Sequence, residues 1–300
     1  MKIRLILWGI GKIYNSMINL LKCYEDLDQI EIVGVTAQDL PNFKFLDSYR
    51  LLNMEELQEE SYDYVMVLSN DYFSQIVRSA MITANVPREK IVSYHILEIP
   101  YFDFAQYDFI RKQNISIVSN NCWGGIICNT LSMECRSPFK NVSFSPENYI
   151  KIISNLKHYL SVDPIWTDKK ELDANQNREV PILELDDVLI KCNHDLDADE
   201  AICKWKRRRD KFNWSNILVE MYTENPKNEE AFGDASEQFD KRICFVPYES
   251  NKKYSMKLPL MKGQIKFYET VNINARIDKN AIAYNILEIL NGKKIYRFMK

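Results

Sequence analysis

The 300 residues carry 39 basic and 42 acidic side chains, a formal charge of −3, with 46% hydrophobic and 27% charged residues. Those proportions exclude a disordered chain, and 8 Gly with 10 Pro exclude a collagen-like or low-complexity one. The near-neutral charge argues against nucleic acid as a partner, and the longest apolar run, residues 3–10, is broken by Arg4, short of the roughly 18 residues that cross a bilayer.

The pattern then reads in chain order as alternating strands and helices. Residues 3–8 (IRLILW) form a short apolar strand stopped by Gly9. Ile13, Met17, Leu20, Leu21 and Tyr24 make a helical stripe over residues 12–24. Strands follow at 30–36, 62–69 and 91–94, with helices at 54–60 and at 71–85, the latter capped by Asn70 or Asp71. This spacing predicts a parallel sheet covered by helices, closing near residue 97. Residues 101–113 are an aromatic helix, expected to pack the two halves together or simply to fill a core.

From residue 98 onward the alternation restarts as a second α/β domain, a mixed sheet with helices. A strand at 115–119 leads into the turn 120–125 and a helix at 126–133. Ser145, Pro146 and Glu147 start a helix that runs to about 160. Residues 167–179 read as an exposed polar loop, 180–185 and 188–192 as strands, and Asp197 with Glu200 as a cap opening a helix to about 212. Then come a strand at 217–222, a helix at 229–239, a strand at 243–247, and a last helix capped by Asp278 and ending at Asn291-Gly292.

Seven cysteines (Cys23, Cys122, Cys128, Cys135, Cys192, Cys203 and Cys244), odd in number and scattered, fit free thiols in a reducing cytoplasm. The start MKIRLILWGIGK lacks the h-region of a signal peptide, so a cytoplasmic location is expected. No C-x-x-C pair occurs, and Cys192-x-His194 alone makes no metal site.

Two turns could carry chemistry. Gly9-Ile10-Gly11-Lys12 lies between a strand and a helix, where backbone N–H groups can hold phosphate. Tyr14 stands at the third glycine position of a dinucleotide fingerprint, and Thr36 stands where an acidic ribose partner belongs. NAD is therefore disfavoured. A nucleotide-sugar or coenzyme A ester fits Gly9, Gly11 and Lys12 better, and a tight turn that needs glycine for its geometry fits too. The second turn is Ser119-Asn120-Asn121-Cys122-Trp123-Gly124-Gly125. A cysteine at a helix start lies in the positive end of the helix dipole, which favours the thiolate. Asn120 and Asn121 amides and the Gly124 and Gly125 N–H groups could stabilise an oxyanion. His194 is the leading base, ahead of His158 and His95, and a buried Cys122 under a glycine-rich turn is the alternative.

Asp195, Asp197, Asp199 and Glu200 do not make a calcium loop, because the sixth position counted from Asp195 is Glu200 and the twelfth is Lys206. The basic run 204–211 places Trp205 and Phe212 on an anchoring helix face, and its charges are either a solvated surface or include an arginine, Arg207 or Arg208, that clamps a phosphate or carboxylate of a substrate.

Several of these segments resemble one bacterial family. They are SNNCWGG at 119–125, Ser137-Pro138-Phe139, residues 145–149, His194, Glu200-Ala201 with Trp205, Arg207 and Arg208, residues 213–216, and Leu290-Asn291-Gly292. The family is the domain-of-unknown-function family nineteen-nineteen, often labelled exopolysaccharide or capsular polysaccharide biosynthesis protein, and the resemblance covers about residues 110–295. It implies a sugar-related role, with a small-molecule or saccharide substrate as partner and self-association into a homo-oligomer allowed. The N-terminal residues are similar to Rossmann-like domains that accompany sugar-modifying enzymes. Two functions follow from these expectations. One is a transferase, acyl or similar, acting on a sugar or nucleotide-sugar through Cys122 and His194. It would hold substrate with Asn120, Asn121, Trp123, Gly124, Gly125, Trp205, Arg207 and Arg208. The other is a non-catalytic module that binds a sugar precursor or a protein.

Overall fold

The computed structural model describes residues 2–99, 101–173, 177–258 and 284–294, and the chain divides into two compact units. The first comprises Met1–Phe109 with Thr130–Met133, and the second Ile110–Asn129 with Glu134–Lys300. Each is an α/β unit built on its own parallel sheet.

In the first unit, β1 (Ile3–Trp8), α1 (Lys12–Asp26) and β2 (Ile30–Thr36) are followed by a short hairpin, β3 (Phe45–Leu46) and β4 (Tyr49–Arg50). Then come α2 (Met54–Glu59), β5 (Tyr64–Val67), α3 (Phe73–Thr83) and β6 (Ile91–Ser93). Strands β2, β1, β5 and β6 lie side by side in that order, all parallel. Both faces of β1 are covered from Leu5 to Trp8, which is why LILW reads as a continuous apolar run rather than an alternation. A reciprocal capping box starts α2: Asn53 Oδ1 accepts from the Glu55 and Glu56 N–H groups, and Glu56 accepts from the Asn53 N–H.

One expectation changes here. Neither Asn70 nor Asp71 caps α3. Tyr72 precedes it without a side-chain cap, because Asn70 Oδ1 is taken by the Tyr94 hydroxyl at 2.7 Å. The aromatics at the start of α4 (Phe104–Lys112) fill the core of the first unit, one of the two roles expected of them. Phe102 and Phe104 meet Tyr24 edge-on at 6.4 and 5.1 Å, Tyr107 packs on Tyr64, and its hydroxyl donates to the Leu131 carbonyl.

The second unit starts with β7 (Ser116–Ser119), α5 (Trp123–Thr130), α6 (Pro146–Ser154) and α7 (Leu156–Ser161). Its next three strands, β8 (Ile165–Asp173), β9 (Arg178–Leu185) and β10 (Val188–Lys191), form an antiparallel sheet. Then follow α8 (Ala198–Arg209), β11 (Ile217–Tyr222), α9 (Pro226–Ala235), β12 (Lys241–Val246), β13 (Ser255–Lys257) and α10 (Ile286–Leu290). The parallel sheet runs β13-β12-β11-β7, so the strands of this unit divide between two sheets. Tyr149 on α6 is fully buried, and its hydroxyl lies 2.7 Å from the carbonyls of both Val118 and Glu220, which share its one proton and pin the helix across β7 and β11.

The polar stretch expected as a loop is largely strand β8. It is an edge strand with mostly exposed residues, so charged side chains cost it little and blunt its open edge. Its register with β9 shifts between Trp166 and Lys170, around Asp168 at φ 59°. Helix α5 begins three residues earlier than expected, so Gly124 and Gly125 are helical rather than part of a turn. The helix from Ser145 breaks at Asn155 into α6 and α7. Asp278 lies outside the described residues; α10 is capped by Asn285 and followed by Gly292 at φ 81°. Among the described residues no helix is long and apolar enough to cross a membrane.

Candidate functional site

In an open parallel sheet, chemistry gathers beyond the carboxyl ends of the strands. At that end of β7 the chain turns directly into α5. The Cys122 carbonyl accepts the Ile126 N–H at 3.0 Å, so Cys122 occupies the N-cap position. Its neighbours supply the caps that a cysteine cannot. Asn121 Oδ1 accepts from the Trp123 N–H at 2.8 Å, and Ser119 Oγ accepts from the Gly124 N–H at 3.2 Å. Asn120 turns its amide sideways, accepting from the Tyr222 N–H and donating to the Tyr222 carbonyl, both at 3.1 Å. It thereby continues the β7–β11 ladder by one side chain and fixes where the turn begins.

From the antiparallel sheet, the segment after β10 comes back to this turn. His194 Nε2 lies 3.7 Å from Cys122 Sγ, and Asn193 Nδ2 lies 3.8 Å from the same sulfur. Ser143 steadies Asn193 through hydrogen bonds at 3.1 and 3.2 Å, and Arg178 donates to the Asn193 carbonyl at 3.1 Å. Cys122 is 8% exposed, whereas the imidazole of His194 is exposed. The sulfur thus has an adjacent proton acceptor on its solvent side and the positive end of α5 behind it. His158 instead sits 2.6 Å from Asp186 and His95 3.4 Å from Glu98, so neither is the imidazole at this sulfur.

Glu220 is the site residue that sequence reasoning missed. It lies on β11 opposite Ser119 and is wholly buried. Burial pushes its carboxyl up to about 8, against hydrogen bonds from Ser119 and Asn121 that favour the charged form. Burial thus favours the neutral carboxyl, and its Oε1 accepts from the Asn121 amide at 3.4 Å. Its Oε2 has no hydrogen-bond partner among the described residues. The sequence did carry a signal: a single acid inside the apolar strand ILVEMY, placed where a buried parallel strand has no solvent face.

The remaining predicted residues divide by burial. Trp123 is fully buried, donates Nε1–H to the Tyr284 hydroxyl at 2.8 Å and packs on Phe245. Trp205 is 2% exposed against Phe139. Both are core residues, which corrects the expectation that they contact substrate. Gly124 serves close packing: a Cβ there would stand 2.7 Å from Ser119 Oγ and 2.8 Å from Ile117 Cγ2. Its N–H is already given to Ser119, so it is not an oxyanion donor. A Cβ on Gly125 would stand 2.8 Å from Asn141 Oδ1. Arg208 donates to the Lys140 carbonyl at 2.9 Å, while Arg207 is exposed. Asp195 and Glu200 both pair with Lys204, the ordinary charge balance of a helix start. Among the described residues no group of three His, Cys, Asp or Glu side chains is placed to hold a metal ion.

In the first unit, Gly9 has φ 126°, and a Cβ there would meet the Leu68 carbonyl at 3.0 Å, so glycine is required by the backbone. Gly11 precedes α1 without a side-chain cap and has open space where a Cβ would point. Lys12 is exposed. Tyr14 is fully buried under α1, and Thr36 spends its hydroxyl on the Leu52 carbonyl at 2.7 Å. Both positions that depart from a dinucleotide fingerprint are thus filled by structural side chains.

Fold and site together define a two-unit α/β protein whose second unit presents a cysteine–histidine pair at the carboxyl edge of a parallel sheet. The chain belongs to the family described as Domain of unknown function (DUF1919), whose profile matches residues 93–289. Residues 1–92 match a second profile, described as C2185-like, N-terminal. An uncharacterized protein of Haemophilus influenzae is 27% identical over 112 residues, 37% of this chain and 51% of that relative. The chain therefore spans about half the length of the curated relative it matches.

Proposed function

We propose that the second unit is a cysteine-dependent transferase that moves an acyl group onto a sugar or nucleotide-sugar. The observation that carries this reading is the 3.7 Å approach of Cys122 Sγ to His194 Nε2 at the start of α5. His194 takes the thiol proton, and the Cys122 thiolate attacks the acyl carbonyl carbon of the donor. The donor's leaving group departs with the proton from the imidazolium, leaving a Cys122 thioester. A sugar hydroxyl then gives its proton to His194 and attacks the thioester, and Cys122 leaves as thiolate. Asn193 Nδ2, beside the sulfur, is the side-chain donor best placed for the developing oxyanion. Arg207 is available to meet substrate charge at the exposed face of α8.

The sugar acceptor and a place in cytoplasmic exopolysaccharide synthesis rest on the resemblance carried by residues 119–125, 145–149 and 200–208. The first unit, read as a Rossmann-like nucleotide-binding-type domain, would hold a nucleotide-sugar or coenzyme A phosphate at Gly9, Gly11 and Lys12. The open space at Gly11 and the uncapped start of α1 support that.

The test is direct. Incubation with acyl-coenzyme A esters should leave an acyl mass on the peptide that contains Cys122, and Cys122→Ala should abolish both the adduct and turnover. Turnover that survives in Cys122→Ala would remove the nucleophile. Ligand binding without turnover in any donor–acceptor pair would favour a binding module.

A further inference from the structure

The second unit carries a groove that the proposed reaction does not use. It lies where β11 and β12 begin, at Ile217 and Lys241, whereas Cys122 follows the carboxyl end of β7, which runs parallel to both. The groove holds about 430 Å³, the size of a small-molecule site. Three segments wall it: the break between α6 and α7, the turn that enters β11, and the turn from α9 into β12. Trp214, on the turn before β11, lines it and is 47% exposed. Buried Phe212 meets the indole in a T-shaped contact, with ring centroids 4.8 Å apart. The turn itself is pinned. The Asn213 N–H donates to Ser116 Oγ at 2.8 Å, Asn213 Oδ1 accepts from the Ser215 N–H at 3.1 Å, and Asn216 Nδ2 donates to the Gln113 carbonyl at 3.1 Å. An aromatic ring held this way and half in water loses little freedom when a ligand stacks on it.

Polar groups beside the indole are left unspent. Gln238 gives its amide N–H groups to the carbonyls of Ile153 at 3.0 Å and Ala235 at 3.4 Å, so its Oε1 is an acceptor without a partner among the described residues. Asn155, Lys157 and Asp240 also line the groove, and their side chains make no hydrogen bond or ion pair with a described residue. Lys241 commits its ammonium to Gln113 Oε1 at 3.0 Å and to the Leu290 carbonyl at 3.1 Å. Lys157 and Asp240 therefore balance, and the uncommitted groups carry no net charge. That set is poorly suited to a phosphate or carboxylate, which calls for surplus cations. It matches hydroxyl groups, each of which both donates and accepts. The C–H face of a pyranose can lie on the electron-rich face of an indole while its hydroxyls reach such neighbours.

We propose that this groove binds an uncharged hexose unit of a saccharide, with Trp214 as the stacking platform and Asn155, Gln238 and Asp240 as the hydroxyl partners. Asp240 and Gln238 Oε1 accept from sugar hydroxyls, and the Asn155 amide both donates and accepts. The site lies at the opposite end of the parallel sheet from Cys122, so it holds a sugar without reacting with it. It goes beyond the transferase reading and does not rest on it.

The experiment titrates the full chain with maltohexaose, cellohexaose and mannohexaose, all uncharged, and follows the sugar protons by saturation-transfer NMR with no acyl donor present. Adenosine serves as a flat competitor class and hexagalacturonate as a charged one. The expected result is saturable binding of at least one hexaose, weakened about 10-fold or more in Trp214→Ala, as when a tryptophan anchor is removed. Trp214→Phe, which keeps an aromatic face, should bind within about 3-fold of the parent protein. Asp240→Asn, at an exposed position, should weaken binding several-fold and carries the test if Trp214→Ala does not fold. Three results would overturn the proposal: no saturable response to any of the three hexaoses, unchanged affinity in Trp214→Ala or Asp240→Asn, or tighter binding of adenosine or hexagalacturonate than of every hexaose. The readout needs no turnover at Cys122, so failure of the transferase reading would leave it unaffected.

Discussion

The two units each contain a parallel strand that runs straight into a helix, at Gly9–Lys12 and at Ser119–Trp123, yet the two turns are built in opposite ways. The first is shaped by backbone alone. Gly9 supplies a positive φ, Gly11 leaves α1 without a side-chain cap, and there is open space beside it. The second is wired by side chains. Asn121 and Ser119 take the Trp123 and Gly124 N–H groups, Glu220 on β11 accepts from the Asn121 amide and lies opposite Ser119, and Asn120 is locked to Tyr222. An uncapped helix start can offer its N–H groups to a ligand. A capped one spends them on holding a side chain still, and here that side chain is Cys122. The contrast supports the proposed division of labour, with ligand binding at the first turn and chemistry at the second.

The largest expected effect comes from removing that chemistry. Cys122→Ala should lower kcat/KM for the acyl transfer by at least ~10³-fold without changing Tm by more than a few degrees, as for other covalent nucleophiles. His194→Ala should cost about 10²–10⁴-fold, the range for a lost general base. Equal rates in either variant would break the contrast between the two turns.

Glu220 gives a pH signature. Its folded value of about 8 lies above the ordinary carboxylate value of 4.5, so between those limits the folded protein binds more protons than the unfolded chain. Its contribution is therefore unfavourable as pH rises: stability falls from about pH 4.5 to pH 8 and is level above, by at most on the order of 5 kcal/mol. Glu220→Gln should lose that slope and gain on the parent protein as pH rises. Parallel melting curves for the two proteins across that window would contradict the assignment.

Smaller effects separate the glycines. Gly124→Ala forces a Cβ against Ser119 and Ile117 and should destabilise by about 1–3 kcal/mol, read as a fall in denaturation midpoint. Gly11→Ala meets nothing within 4 Å and should change stability by less than about 0.5 kcal/mol, as the unfolded-state gain offsets the poorer cap. It should, however, weaken binding of any phosphate ligand that approaches the α1 N-terminus, as read by titration. Unchanged affinity would leave Gly11 a plain turn residue.

Much of this architecture is legible in the sequence because buried parallel strands such as IRLILW and ILVEMY cannot alternate, and turn residues punctuate them. What fails is local and has physical causes. β8 reads as a loop because an edge strand in solvent carries no apolar pattern. α5 starts at Trp123 although glycines follow, because Gly124 buys close contact with β7 that outweighs its poor helix propensity. Trp123 and Trp205 look like substrate platforms beside glycines and arginines, but burial is a property of the folded chain and not of the motif. The pairing of Cys122 with His194 was arguable from a helix start and a strand end. The place of Glu220 beneath them depends on the β7–β11 register, which joins residues far apart in the chain.

The central claim is that His194 activates Cys122. Peptide-resolved alkylation by iodoacetamide at pH 7 tests it most directly, comparing the full chain with His194→Ala. The account predicts that the Cys122 peptide reacts at least ~10-fold faster with the imidazole present, while exposed Cys203 reacts equally in both. Equal Cys122 rates in the two proteins would contradict it.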